Sequence, residues 1–449
     1  MRTGPRINQR RKSFFFHIPI ILTVVFLQQP SCWGNDSESS AEPKQIRELR
    51  STHFILHTDL DAIAAKARLS KMESMLRIGI NYWGRRSKGQ IHCYLVDDLE
   101  AWPAKSFPKE STRKLLLLVG GETVFDLKRI KSGVVKQTSI YATTKPGVVE
   151  HEVIHAYCFQ VFGTAGPQWY REGMAELFAM NASPKTGAIC REQTLSMLKN
   201  GPPLSLKRVL ARENFTASIS EMIGRDTDKN GADSGFDITT DNWESTNSKR
   251  LRSAQVAYAE CWALCYLLHH NPNYEKRFRM LGRQFLNNNS VKFEDLFRPV
   301  MQNIDFELKQ FGENIGDGYR ADLCRWNWSK TFSSIEIGES ITVQLKANAG
   351  YQATQLLVGR NETYQLTSLG DWLITKNAAR VNVDGDESGH GQLEAVILND
   401  FELQPPRILG SKALLRTSHE GFVYLRCHDN WLGLADNRGT IQVRLKRIK

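Results

Sequence analysis

The chain reads as an α+β domain followed by an all-β sandwich, on three features of its pattern. Strand-like runs and one long helix come first, and a pair of shorter helices follows. Beyond about Gly316 the character changes to short alternating runs separated by turn residues. Segregated strands and helices suit an α+β layer, and closely spaced alternating strands suit a sandwich.

Within the first part, "STHFILHT" alternates up to Thr58 and predicts a strand. A helix is expected from about Asp59 to Trp83, where Leu60, Ile63, Ala67, Met72, Leu76 and Ile80 fall near helical spacing. "QIHCYLVDD", "KLLLLVGGE" and "KQTSIYATT" predict three further strands. "TTKPGVVEH" then supplies an N-cap and a first-turn proline for the next helix. From Asn214 to Arg252 the chain is polar and loop-like, before the helical runs "SAQVAYAECWALCYLLHH" and "VKFEDLFRPVMQNIDFELKQFG". "ITVQLKA", "TQLLVG", "QLEAVIL", "GFVYLRC" and "GTIQVRLK" are the expected strands of the sandwich.

The 449 residues carry a net charge of +11, but Arg2, Arg6, Arg10, Arg11 and Lys12 open the chain without an acidic partner. Removing them leaves +6, with no aromatic and basic repeat of a nucleic-acid module. No nucleic-acid partner is expected. The same basic start precedes "FFFHIPIILTVVFL", which ends before the small and polar residues around Gly34. That pattern predicts a signal peptide over residues 1–34, cleaved near Gly34, and export to a periplasmic or extracellular location. The apolar run is short of the roughly 20 residues a span needs, so no stable membrane span is expected. The eight cysteines are scattered without a CxxC pair, and Cys261 and Cys265 lie one helical turn apart in an apolar run. Buried thiols are the expectation there.

Chemistry concentrates in "VVEHEVIHAYCFQVFGTAGPQWYREGMAELF", residues 148–178. On a helix, His151 and His155 share a face and can offer two imidazoles to one metal ion, with Glu152 beside them. Gly163, Gly166 and Pro167 end that helix, so "WYREGMAELF" can return alongside and turn Glu172 and Glu176 toward the histidines. Two carboxylates aimed at an apolar helix face are costly unless something cationic or hydrogen-bonding meets them. A zinc ion with two neutral imidazoles, one carboxylate and an open position meets that demand.

"HEVIH" followed by "EGMAE" resembles the gluzincin metallopeptidases, whose HExxH helix is followed by a helix carrying a glutamate ligand. With "HFILHT", "PQWYREGMAELF" and "AYAECWALCYLL", the stretch from about 45 to 316 is similar to the peptidase-MA-like domains of exported bacterial proteins. The resemblance implies a zincin-like metallopeptidase domain over 45–316, with His151, His155 and Glu172 as zinc ligands. It makes Glu152 the general base that takes a proton from an activated water, and a peptide or protein the substrate. Glu176 would accept from one histidine ring and fix its orientation. Tyr258 is the candidate donor to the oxyanion, against the plainer reading of a packed helix tyrosine. The "KQTSIYATT" strand would pair with extended substrate along its edge.

Residues 320–449, with "FVYLRCHDNWLGLADNRGTIQVRLK", resemble the galactose-binding β-sandwich of PA-I-type lectins. That resemblance implies Ca2+ in the last loop, with Asp429 and Asp436 as ligands and Asn437 beside them, and a glycan as partner. Trp431 and Arg438 depart from the lectin loop, and a docking or stabilising sandwich stands as the other reading. A second calcium-like run, with Asp226, Asp228 and Asn230 before Gly231 and Asp237 as the twelfth position, lacks a terminal glutamate. Two functions therefore stand side by side: a zinc metallopeptidase, and a non-catalytic surface or carbohydrate-binding protein that uses the zincin domain as a scaffold.

Overall fold

The computed structural model describes residues 45–130, 133–180, 187–212, 241–287, 290–376, 379–411 and 413–449. The expected signal peptide and the run containing Asp226 to Asp237 lie outside them.

The N-terminal part is built on a five-stranded sheet. Strands β1 (Arg47–Arg50), β2 (Phe54–Thr58), β3 (Ile91–Val96), β4 (Gly121–Ile130) and β5 (Gly133–Thr143) are arranged in the order β1-β2-β3-β5-β4. β2, β3 and β5 run parallel, while β1 and β4 are antiparallel to their neighbours. Helix α1 (Ala62–Trp83) carries the chain from β2 to β3. It starts where Asp61 accepts from the amides of Ile63 and Ala64, and stops at Gly84, whose positive φ suits a left-handed cap. The central strands are covered on both faces, which is why "FILHT" is buried at nearly every position, its threonine included.

Three expectations are corrected in this part. The run "KLLLLVGGE" is a helix at its start: α2 (Glu110–Leu118) precedes β4, which opens at Gly121. Thr112 and Leu116, one turn apart, are the positions α2 buries, so the leucine run serves a helical face. "KQTSIYATT" lies in β5, an interior strand with β3 and β4 on either side, so it offers no free edge; the sheet edge near the site is β4. Pro146 stands just outside helix α3 (Val148–Phe162), whose N-cap is Gly147 with φ of 81° and no capping side chain.

Helix α3 is buried along its whole first three turns, so it reads as apolar all round apart from the polar residues it must place. It ends at Gly163, with φ of 77°, and α4 (Gln168–Ala179) returns beside it. Shorter helices α5 (Glu192–Lys199) and α6 (Leu206–Leu210) lead toward α7 (Asp241–His270). α7 begins well before Arg252, inside the stretch whose polarity suggests a loop. α4 and α7 approach closely at Gly173: a Cβ there would lie 2.4 Å from the Cys261 carbonyl oxygen. Only glycine allows that crossing. Cys261 and Cys265 are buried in the same contact. α8 (Glu275–Leu286), α9 (Phe293–Phe297) and α10 (Met301–Asn314) complete the helical layer.

The C-terminal part is a β-sandwich. One sheet follows the order β11-β10-β14-β7 with β12 on β10, and the other β13-β8-β15-β6 with β9 on β15. Its main strands are β6 (Ser340–Lys346), β7 (Gln352–Val358), β8 (Thr363–Leu369), β10 (Leu393–Asn399), β14 (Gly421–Cys427) and β15 (Arg438–Arg447); β9 (Trp372–Leu373), β11 (Glu402–Leu403), β12 (Arg407–Leu409) and β13 (Leu414–Arg416) are short. The sandwich has its own apolar core around Leu356, Tyr364, Trp372, Val423 and Leu445. A third cluster joins it to the helices, where Phe306 of α10 packs with Trp326, Tyr351 and Tyr424. Beside it, buried Glu307 accepts from Tyr274 Oη and Trp328 Nε1, each at 2.6 Å, and from Asn271 Nδ2. Among the described residues no helix is long and apolar enough to cross a membrane.

Candidate metal centre

Helix periodicity and the glycine turn bring the polar residues of α3 and α4 together. His151 Nε2 and His155 Nε2 lie 2.9 Å apart, and Glu172 Oε2 stands 3.4 Å and 3.3 Å from them. All three residues are buried. A tetrahedral ion with bonds of about 2.0–2.1 Å requires donor separations of roughly 3.3–3.4 Å; both distances to Glu172 match this, and the two imidazole nitrogens, 2.9 Å apart, would have to part by about 0.4 Å. Two nitrogens and one carboxylate oxygen form a donor set suited to a borderline-soft divalent ion. The remaining Glu172 oxygen, Oε1, is engaged by Arg171 Nε at 2.8 Å. That contact turns Oε2 toward the histidines.

The electrostatics express the same demand for positive charge. Burial pushes the His151 imidazole down, but its hydrogen bonds to Glu172 and Glu176 outweigh this and raise it to about 10. Burial works to raise the Glu172 carboxyl, yet His155, His151 and Arg171 hold it well below its usual range. A proton on His151 thus does in this cluster what a bound cation would do. Glu176 is 3.3 Å from His151 Nδ1 through Oε2, with its other oxygen, Oε1, 3.0 Å from Arg191 Nε.

Glu152 sits between this cluster and an open cleft. Thr123 Oγ1 of β4 donates to its Oε2 at 2.7 Å, leaving Oε1 over Gly121. A Cβ at Gly121 would come 3.0 Å from that oxygen. The cleft has two lobes that share His151, Glu152 and Tyr258. The larger, of about 430 Å3, has an apolar wall from Val119, Val148, Met197 and Ala254, with Lys145 and Arg191 as its cations. The smaller, of about 200 Å3, is bordered by Glu122, Thr123, Phe159 and Arg171.

Tyr258 projects from α7 into the cleft with its ring centroid 6.2 Å from that of His151. Burial, followed by the nearby Glu172 and Glu152 carboxylates, raises its phenol well above the usual range. It therefore remains an O–H donor at neutral pH. Thr123, Arg171 and Arg191 were not singled out by sequence reasoning. Arg171, adjacent to Glu172, was within reach of the motif; Thr123 and Arg191 belong to a distant strand and loop, with no local pattern to mark them.

The sandwich residues are placed differently. Asp429 is buried and its Oδ1 accepts from the Asn430 amide at 2.7 Å. Asp436 is exposed at the end of a 3-10 turn, Gly433–Ala435. Asn437 is fully buried, with Nδ2 donating to Ala347 at 3.3 Å and Oδ1 without a hydrogen-bond partner among the described residues. Between them, Trp431 Nε1 donates to Asn314 Oδ1 of α10 at 2.8 Å, and its ring meets Tyr319 at 5.1 Å. This loop is docked on the helical layer.

No family model matches the chain, and no curated protein matches it. Among solved structures, the chain is similar to one described as an EclA N-terminal domain, a PllA-like lectin, at 17% identity and a TM-score of 0.20. That match covers 24% of this chain and 95% of the other.

Proposed function

We propose that the protein is an exported zinc-dependent metallopeptidase of the gluzincin kind, with a zincin-like domain ahead of its sandwich. The observation that carries this reading is the buried triangle of His151, His155 and Glu172 donors, set beside a carboxylate that faces an open cleft. Zinc bound there would supply Lewis acidity, lowering the pKa of a coordinated water to about 7.

The chain's own residues account for the rest of the hydrolysis. Glu152, oriented by Thr123, takes the proton of the attacking water at Oε1 as the new C–O bond forms, and delivers it to the amine as the C–N bond breaks. Tyr258 donates its phenolic proton in a hydrogen bond to the substrate oxygen that gains charge. Glu176 holds His151 by its other nitrogen. At the start of β4, Gly121 borders both lobes and Glu122 and Thr123 the smaller one, so an extended peptide would lie along this strand rather than along β5.

The alternative, a scaffold that grips a glycan, has less to support it: Asp429 is buried and Asp436 exposed, and the one metal-capable group among the described residues is that of His151, His155 and Glu172. Metal analysis of purified protein with cleavage of a peptide library by wild type and Glu152→Gln tests the proposal. One zinc per chain with cleavage lost in the variant is expected; a zinc-loaded wild type that cleaves no peptide would overturn the enzyme reading.

A further inference from the structure

Glu176 is buried, and its carboxylate is shared. Oε2 faces His151 Nδ1 at 3.3 Å, and Oε1 lies 3.0 Å from Arg191 Nε. A buried carboxylate without such partners would be strongly disfavoured, so removing the guanidinium changes what Glu176 does to the histidine. The same guanidinium covers the start of α3. A Cβ on Gly147, its N-cap, would stand 3.1 Å from Arg191 Nη2. Arg191 thus touches the end of the helix that carries both histidines and the glutamate of the neighbouring helix.

Its own position is fixed from two directions. The Arg191 carbonyl accepts from the Leu195 amide at 3.0 Å in the first turn of α5. Four residues earlier, Gly187 meets the sandwich: a Cβ on it would be 3.0 Å from Leu432 Cδ1, and one on Gly318 would be 2.6 Å from Leu432 Cβ. Leu432 therefore lies against two glycines, one in the segment leading to Arg191 and one at the end of the helical layer. Trp431, beside it, is anchored on Asn314 and Tyr319.

Resting on the metallopeptidase reading, we infer that Arg191 is a positioning residue that fixes the ring of His151 through Glu176, and that the Trp431–Leu432 tip of the sandwich braces the segment from which Arg191 projects. The chain of contacts runs from sandwich loop to Gly187 segment, to guanidinium, to carboxylate, to imidazole. This gives the lectin-like loop a role at the metal centre without a sugar. Loss of a direct hydrogen-bond partner of a metal ligand, here Glu176, typically weakens metal affinity about 10–100-fold, and Arg191, one contact further out, is expected at the low end of that range.

The test uses full-length protein stripped of metal, with zinc affinity read by competition against a chromophoric chelator and ligand geometry read from the visible spectrum of the cobalt(II) form. Arg191→Met is expected to weaken zinc roughly 10-fold, the low end of the effect of losing a direct partner, and to alter the cobalt spectrum, while Arg191→Lys, which keeps the charge, recovers most of the affinity. Leu432→Ser is expected to weaken zinc by about 2–5-fold, a fraction of the effect of losing the outer partner itself. Arg191→Gln is read in place of Arg191→Met if the latter does not fold; failure of both to fold would make Arg191 a purely structural residue and overturn the inference. Wild-type affinity and spectrum in a folded Arg191→Met, or no recovery with lysine, would also overturn it, and an unchanged Leu432→Ser would overturn the bracing. A wild type that binds no zinc would instead remove the metallopeptidase reading itself.

Discussion

Of the regions that carry a metal-like signature in sequence, two lie among the described residues, and the structure treats them in opposite ways. In the α3–α4 pair, three donors converge to within 3.4 Å with their charges facing inward. In the β14–β15 loop, Asp429 is buried and capping a backbone amide, Asp436 is exposed, and the residues between them dock on the helices. The difference lies in the backbone. Helical spacing dictates that His151 and His155 share a face, and the glycine turn returns Glu172 to it. A loop imposes no such periodicity, so spacing in sequence says little about convergence in space.

The comparison breaks most visibly at Glu152. Glu152→Gln is expected to lower peptide cleavage by roughly 10²–10⁴-fold while zinc content stays at one per chain, since the base is lost and the donors are kept. Cleavage and zinc measured on the same preparation check this. If the variant kept wild-type turnover, the α3–α4 site would be no more a catalytic centre than the loop is.

Next in size is the crossing that supports the site. Gly173→Ala places a methyl against the Cys261 carbonyl and the Cys265 sulfur, so α4 must move away from α7. A loss of about 3 kcal/mol, at the upper end for overpacking, is expected in denaturant unfolding, with zinc affinity falling in step. A neutral substitution would mean that the helices holding Glu172 and Tyr258 are not pressed together.

Glu307, at the junction of the two parts, gives a pH signature of similar size. Burial raises its carboxyl to about 7, against neutral donors from Tyr274, Trp328 and Asn271 that only partly offset it. The folded state therefore holds the proton more tightly than the unfolded chain does. Its contribution is fully present below about pH 4.5 and is lost as pH rises to about 7, a change of roughly 3 kcal/mol. His269 and His270, lowered by burial to about 4 and 3, act in the opposite direction over part of this range. The quantity to measure is thus the stability of wild type minus that of Glu307→Gln from pH 4.5 to 7.5. A falling difference is expected, and a flat one would contradict a protonated junction.

The smallest effect belongs to the loop. Asp436→Ala is expected to leave zinc content and peptide cleavage within about twofold, because an exposed side chain with no contact to the site should act independently of it. A loss on the scale of Glu152→Gln would make the two regions one site.

How much was legible follows the same division. Strands β6 and β15 could be read because period and burial agree in them. β2, β10 and β14 are buried at nearly every position and were legible as apolar runs between turns. α1 was legible as an element although two of its expected apolar positions, Ile63 and Ala67, face solvent. The leucines from Leu115 to Leu118 could not be sorted by period, since a short apolar run fits helix and strand alike. The start of α7 was hidden for the opposite reason: its polar first turns continue a helix whose packed half lies further on. At the site, the two histidines and the three glutamates, Glu152, Glu172 and Glu176, were visible as motif. Thr123 and Arg191 were not, because their meeting with Glu152 and Glu176 depends on a sheet edge and a loop brought in by tertiary packing. The assignment of the edge to β5 failed likewise, because strand order is set by pairing over long range rather than by any local run.

The most direct test of the account is the zinc K-edge absorption of the zinc-loaded, folded protein. The account predicts one ion per chain held by two imidazole nitrogens and a carboxylate oxygen at about 2.0–2.1 Å, with the signal lost in His155→Ala. A folded protein that remains metal-free after loading, or one whose zinc shows no imidazole ligands, would contradict it.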